Sequence, residues 1–200
     1  ALAAARISYH YYHRGENLRM VASTLRAVDL ADRADRAARV ADSYHQFGYI
    51  AGLFRMGKVA AHYFHAAEAR ARATGDDAAL GVSMYGQAIY WYGLGNVGLA
   101  LRLAGDAVLL MRRIGHTHEL EVSQSVLAHV QHSLGRYEEA LANSQDVYES
   151  ARARANGMHE SWGAYTIARE LIVLDHLDDA IALLSHAREL ARAAGDRASL

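Results

Sequence analysis

The sequence contains no cysteine and no proline. Without cysteine there is no disulfide framework, no thiolate zinc site and no thiol nucleophile, and a reducing cytoplasmic location is the expectation. Without proline, nothing in the chain breaks a helix interior, which suits a protein that is helical almost throughout. A dominant charge is missing too: 21 Lys and Arg face 22 Asp and Glu, a formal net charge of -1. That balance gives no general attraction to nucleic acid or to an acidic membrane surface. No apolar run approaches the roughly 18 residues of a membrane span, and "ALAAARISYH" has no charged start followed by an apolar stretch, so it is not read as a signal peptide. HExxH and G-x-S-x-G are both absent. The carboxylates fall mostly at helix ends, where capping accounts for them. The expectation is therefore no enzyme, no cofactor and no bound metal.

What is present is an ordinary folding composition, 52% hydrophobic and 22% charged, organised by a repeat. Gly15, Gly57, Gly95, Gly135 and Asp175 mark one break, at intervals of 42, 38, 40 and 40 residues. Asp35, Gly75, Gly115, Gly157 and Gly195 mark a second, at 40, 40, 42 and 38. Five residues after the first marker stand Met20, His62, Ala100, Ala140 and Ala180. Twelve after it stand Ala27, Ala69, Ala107, Val147 and Ala187, small or apolar each time. Units are expected at about 1–35, 36–75, 76–115, 116–157 and 158–195, with 196–200 opening a further one. The chain reads as a single array cut from a larger protein.

Each unit holds two helical segments. In the last, Ile181, Leu184, Ala187, Leu190 and Ala191 form one stripe at three- and four-residue steps. Acidic pairs such as Glu138 and Glu139 open helices, and arginines such as Arg112 and Arg113 close them, complementing the helix dipole. That placement explains the arginines without a nucleic-acid patch. A helix pair cannot bury its apolar stripe alone, whereas stacked pairs share a core. The predicted fold is all-α, an α-α superhelix of about ten helices in five antiparallel pairs.

Two motifs invite other readings. "GLGNVG", Gly93 to Gly98, matches the G-x-G-x-x-G dinucleotide fingerprint, with Glu119 and Glu121 downstream as ribose-binding acids. That fingerprint needs a preceding strand, and the segment before it aligns with a helical segment one repeat later. The repeat makes it a tight turn, with Gly98 allowing close helix packing. His10/His13, His62/His65 and His129/His132 are spaced to share a helix face, but each pair lacks a third ligand nearby in sequence, so packed or partly exposed polar positions are expected.

"LGRYEEAL" resembles the turn and second-helix start of the tetratricopeptide repeat (TPR), through Gly135, Tyr137, Glu139 and Ala140. "DHLDDAIALLSHA" is similar, with Asp175, Leu177, Asp179, Ala180, Leu184 and Ala187, as are the small residues Ala88, Ala128 and Ala168. The period of about 40 residues looks like the longer, degenerate repeats of large bacterial signalling ATPases, cyclase-linked proteins and transcriptional regulators. The resemblance implies that the first helix of each pair lines a concave groove where partners bind. Counting back from the markers then gives the groove as Tyr9, Tyr12, Tyr44, Phe47, Phe54, Tyr85, Ile89, Tyr92, His129, His132, Trp162, Tyr165 and Arg169. These positions are rich in aromatics, which either bind a partner or pack between neighbouring helices.

The expected function is a non-catalytic interaction module of a bacterial regulatory or signalling protein. It would hold a peptide, a protein segment or another domain of its own chain. The alternative is a sensing domain in which a small ligand among Tyr49, Tyr85, Tyr92, His129 and His132 changes the curvature. Direct nucleic-acid or membrane partners are not expected, and exposed terminal repeats make a homodimer an expected form.

Overall fold

Each turn among the described residues is set by one residue that adopts the left-handed conformation; the turn expected at Asp35 lies outside them. The computed structural model describes residues 2–34 and 37–196. Positive φ occurs at Gly15, Arg55, Gly95, Gly135 and Asp175, and again at Gly75, Gly115, Ala155 and Gly195. Both series run in uniform steps of 40 residues. The turns are built alike whatever residue occupies the position. Asn96 N–H donates to the Trp91 carbonyl at 2.9 Å, and Met56 N–H donates to Ala51 at 2.9 Å in the same way. The intermediate residue bonds three back, Gly95 to Tyr92 at 2.9 Å and Arg55 to Gly52 at 2.9 Å. Both are Schellman closures.

This corrects the marker of the second unit. Gly57 is the first residue of a helix, and Arg55 is the turn residue. Likewise Gly157 opens a helix, and Ala155 makes the turn before it. Glycine is the favoured residue at positive φ but not a required one, so the sequence displaced both markers onto the nearest glycine. With Arg55 as marker, the fifth position after the turn is Ala60 rather than His62. Met20, Ala60, Ala100, Ala140 and Ala180 are then all buried.

Among the described residues ten helices connect these turns: α1 (Leu2–His13), α2 (Asn17–Ala34), α3 (Ala37–Leu53), α4 (Gly57–Thr74), α5 (Asp77–Gly93), α6 (Val97–Ile114), α7 (Thr117–Ser133), α8 (Tyr137–Ala153), α9 (Gly157–Val173) and α10 (Leu177–Ala194). No strand occurs among the described residues. Side-chain caps hold several helix starts: Asp76 accepts from Ala79 N–H at 2.9 Å, and Asn96 accepts from Leu99 N–H at 3.3 Å.

The helices pair as α1/α2, α3/α4, α5/α6, α7/α8 and α9/α10. First helices also pack closely on one another, α1 on α3, α3 on α5, α5 on α7 and α7 on α9, whereas among the described residues the second helices stand farther apart and meet through long side chains, as Arg112 of α6 does with Asp146 of α8 at 3.8 Å and Tyr148 of α8 with His186 of α10. The first helices therefore form the tighter inner layer and the second helices splay outside, which bends the stack. Small buried residues permit this spacing. Seven before each turn stand Ser8, Gly48, Ala88, Ala128 and Ala168, and twelve after stand Ala27, Ala67, Ala107, Val147 and Ala187, all buried. Where one side is enlarged the other shrinks: a Cβ on Gly48 would lie 2.9 Å from the Phe64 ring. No helix among the described residues is long and apolar enough to cross a membrane.

"GLGNVG" follows α5, not a strand. Gly93 ends that helix, Gly95 makes the turn and Asn96 caps α6. The close packing expected at Gly98 is not found: a Cβ there would meet nothing within 4 Å.

Candidate binding groove

The inner layer encloses a groove of about 1350 Å³, lined from all five helix pairs. Its walls repeat with the array. Six residues before the turn, Tyr49, Ile89 and His129 face it; ten before, His45, Tyr85, Ser125 and Tyr165; thirteen before, Val82, Val122 and Trp162. Tyr12 and Tyr92 add the position three before the turn. Of the charged side chains, Glu119 and Arg188 reach this lining. The Tyr85 hydroxyl donates to Glu119 at 2.8 Å, joining α5 to α7.

Seven of the residues expected from sequence come together here: Tyr12, Tyr85, Ile89, Tyr92, His129, Trp162 and Tyr165. In the second unit the displaced marker chose the wrong face of α3. Tyr44 donates to Asp32 at 2.5 Å and sets its ring edge-on to Tyr63, 5.4 Å between centroids. Phe47 packs on the same Tyr63 ring at 4.5 Å, and Phe54 is 62% exposed beside the turn. His45 and Tyr49 take their places. His132 and Arg169 do not line the groove either. Both are drawn to the buried Glu170, His132 Nδ1 lying 2.7 Å from Oε2 and Arg169 Nη2 donating to Oε1 at 2.7 Å. The side chain of Tyr9 lies outside the described residues. Of the paired histidines, His62 and His65 are exposed on α4.

Sequence reasoning missed the polar framework behind the groove. Glu121, 1% exposed, accepts from Ser150 Oγ at 2.6 Å, from Arg154, and from His159 Nδ1 at 2.7 Å. This ties α7, α8 and the start of α9 together. Burial lowers His159 to a pKa of about 4, with the Glu121 hydrogen bond opposing. The ring is thus neutral near pH 7 and donates a neutral N–H to the carboxylate. It is sandwiched between His118, at 4.5 Å and 28°, and Trp162, at 4.6 Å and 21°. The signal for this cluster was an acid at a position where other units carry small or apolar residues: Glu121 is the register equivalent of Gly81 and Ser161. His45 is held at about 4 by burial alone, edge-on to Tyr85 at 5.9 Å. It fits because Gly86 has no side chain; a Cβ there would lie 1.7 Å from His45 Cε1. Burial also lowers His129, partly offset by its contact with the Ser125 carbonyl at 2.8 Å.

Paired helices, a uniform turn and a concave layer of first helices define a TPR-like helical repeat fold. Solved structures share this architecture. Two crystal structures of a kinesin light chain-like protein from Podosopora anserina, with nearly identical TPR-like repeats, superpose at TM-scores of 0.64 and 0.62. They are 16% identical to this chain, covering 94% and 98% of it and 92% and 96% of the other. Aspartyl phosphate phosphatase F of Bacillus subtilis superposes at 0.63 with 15% identity; 94% of this chain covers 54%, about half, of that protein. No family model and no curated protein matches the sequence.

Proposed function

We propose that the chain is a non-catalytic interaction module, of the kind used in bacterial regulatory proteins, that holds an extended or helical protein segment in its concave groove. One observation carries the reading: a continuous groove whose lining is aromatic, aliphatic and histidine-rich, with little charge. Its volume, about 1350 Å³, exceeds the roughly 300–1,000 Å³ of small-molecule sites. A helix 10–12 Å across that rises 1.5 Å per residue fills roughly 140 Å³ per residue, so the groove suits on the order of ten residues. Tyr and Trp supply contact area at low entropic cost, and neutral imidazoles add hydrogen bonds without the desolvation cost of a charge.

The test is peptide selection. A displayed library of random peptides is panned on the protein, and enriched sequences are titrated against Tyr49→Ala/Tyr85→Ala. Affinity is expected to fall at least tenfold while far-ultraviolet circular dichroism stays native. Failure to enrich any peptide, or equal affinity for the variant, sinks the proposal. Micromolar stabilisation by a small metabolite in a thermal-shift screen would instead favour ligand sensing.

A further inference from the structure

In an array of stacked pairs, each unit contacts its neighbours. Among the described residues this chain departs from that rule where its first and last pairs meet. His13, at the end of α1, lies with Nδ1 3.0 Å from Oδ1 of Asp196, 183 residues later and just beyond α10. The other oxygen of Asp196 accepts from Trp162 Nε1 at 3.1 Å. The His13 and Trp162 rings are stacked at 5.9 Å and 28°. The Asp196 side chain is fully buried, and that of His13 nearly so. Both carboxylate oxygens are thus engaged by two ring N–H groups that also contact each other face to face.

The partners come from the first and last pairs, so their meeting turns the inner layer from an open arc into a ring. It is anchored on one side, because Trp162 continues the stack through His159 and His118 to the Glu121 network. It is thin on the other. Among the described residues the backbone of α1 packs closely on α2 and α3 but not on α9 or α10, and it meets α9 through the His13 and Trp162 rings. A second hollow of about 330 Å³ lies along the seam, between His10, His13 and Arg14 on one side and Met158, Ala194 and Gly195 on the other. Among the described residues the junction is made by side chains rather than by closely packed helices, so its parting leaves the packing within each helix pair in place.

We propose that His13, Trp162 and Asp196 form a latch that closes the array around the groove, and that its release admits and discharges the bound segment. The second clause rests on the proposed function, the first does not. Because the sequence is free of cysteine, two labels can be placed cleanly. Spin labels at Leu18→Cys on α2 and Arg192→Cys on α10, both exposed, report the distance between the first and last pairs. A single narrow distribution is expected for the parent. Asp196→Ala should broaden and lengthen it, with helical content unchanged. Trp162→Phe keeps a stacked ring but removes the N–H, and should give a smaller change of the same sign; it also decides the matter if Asp196→Ala does not fold. Unchanged distributions in the folded variants overturn the latch. Separately, a peptide from the selection should dissociate several-fold faster from Asp196→Ala, whose side chain does not line the groove. An unchanged rate beside an altered distance would leave closure standing and overturn its role in exchange.

Discussion

Arg55, Ala155 and Asp175 carry positive φ without being glycine. An L-residue in that conformation bears a steric cost on the order of 1 kcal/mol, which glycine avoids. The φ of 53° at Ala155, in a turn closed by the same hydrogen bonds as its glycine equivalents, makes it the cleanest case. Ala155→Gly is expected to stabilise the chain by about 0.5–1 kcal/mol in urea denaturation, net of the entropy glycine adds to the unfolded state. A loss of stability would mean that the turn tolerates alanine without strain. The same positions explain where the sequence reading slipped. Turn geometry is a property of φ, and glycine is only its commonest sign, so Gly57 and Gly157, two residues along, drew the markers away. The shift moved the expected groove of α3 from His45 and Tyr49 to Tyr44 and Phe47. Buried polar residues were illegible for another reason: their partners lie 29 to 38 positions away on other helices. Removing the hub, Glu121→Ala, strands the buried Nδ1–H of His159 and is expected to cost about 3 kcal/mol, with Glu121→Gln costing less because the amide oxygen still accepts. Equal stability of all three forms by denaturation would show that the network contributes nothing.

Between elements, the decisive quantity is how closely two helices approach. The alanines that set it were readable in sequence, since Ala88, Ala128 and Ala168 recur at a constant distance before the turn, and so was the pairing of the helices. The approach of α8 to α9 was not. A Cβ on Gly163 would lie 2.7 Å from the backbone nitrogen of Tyr148 and 2.8 Å from its Cα. No side-chain rotation relieves a clash with backbone, so Gly163→Ala must push the helices apart. The expected loss is about 1–3 kcal/mol, typical of overpacking, despite the better helix propensity of alanine. Gly98→Ala is the internal contrast. It meets nothing within 4 Å and lies in the first turn of α6, so it should be neutral or stabilising by up to about 1 kcal/mol. Thermal melts of the two variants should shift in opposite directions or leave Gly98→Ala unmoved; a matching loss for both would refute the packing argument.

Across the whole molecule, the inner layer buries imidazoles from several units, and this gives the fold a pH dependence of definite sign. His45 and His159 titrate near 4 in the folded chain, in each case chiefly because burial penalises the charged ring, and His129 is lowered for the same reason. In the unfolded chain a histidine titrates near 6.5. Between those values the unfolded state binds more protons, so stability rises with pH across the window and levels off above about 6.5. Each such group contributes a slope of up to about 1.4 kcal/mol per pH unit. The denaturation midpoint is therefore expected to fall steadily from pH 7 to pH 5, while between pH 7 and pH 8 these groups leave it unchanged. His45→Asn should flatten the acid limb by about one group's share, whatever it does to stability at pH 7. The slope is the diagnostic, because a merely structural role for His45 would shift the whole curve without changing its shape. A parent curve that is flat from pH 7 to pH 5, or an acid limb of equal steepness in the variant, would mean that the ring is reached by water and protonates in place. The inner layer would then be an open, solvated face rather than the low-dielectric surface on which the proposed segment recognition depends.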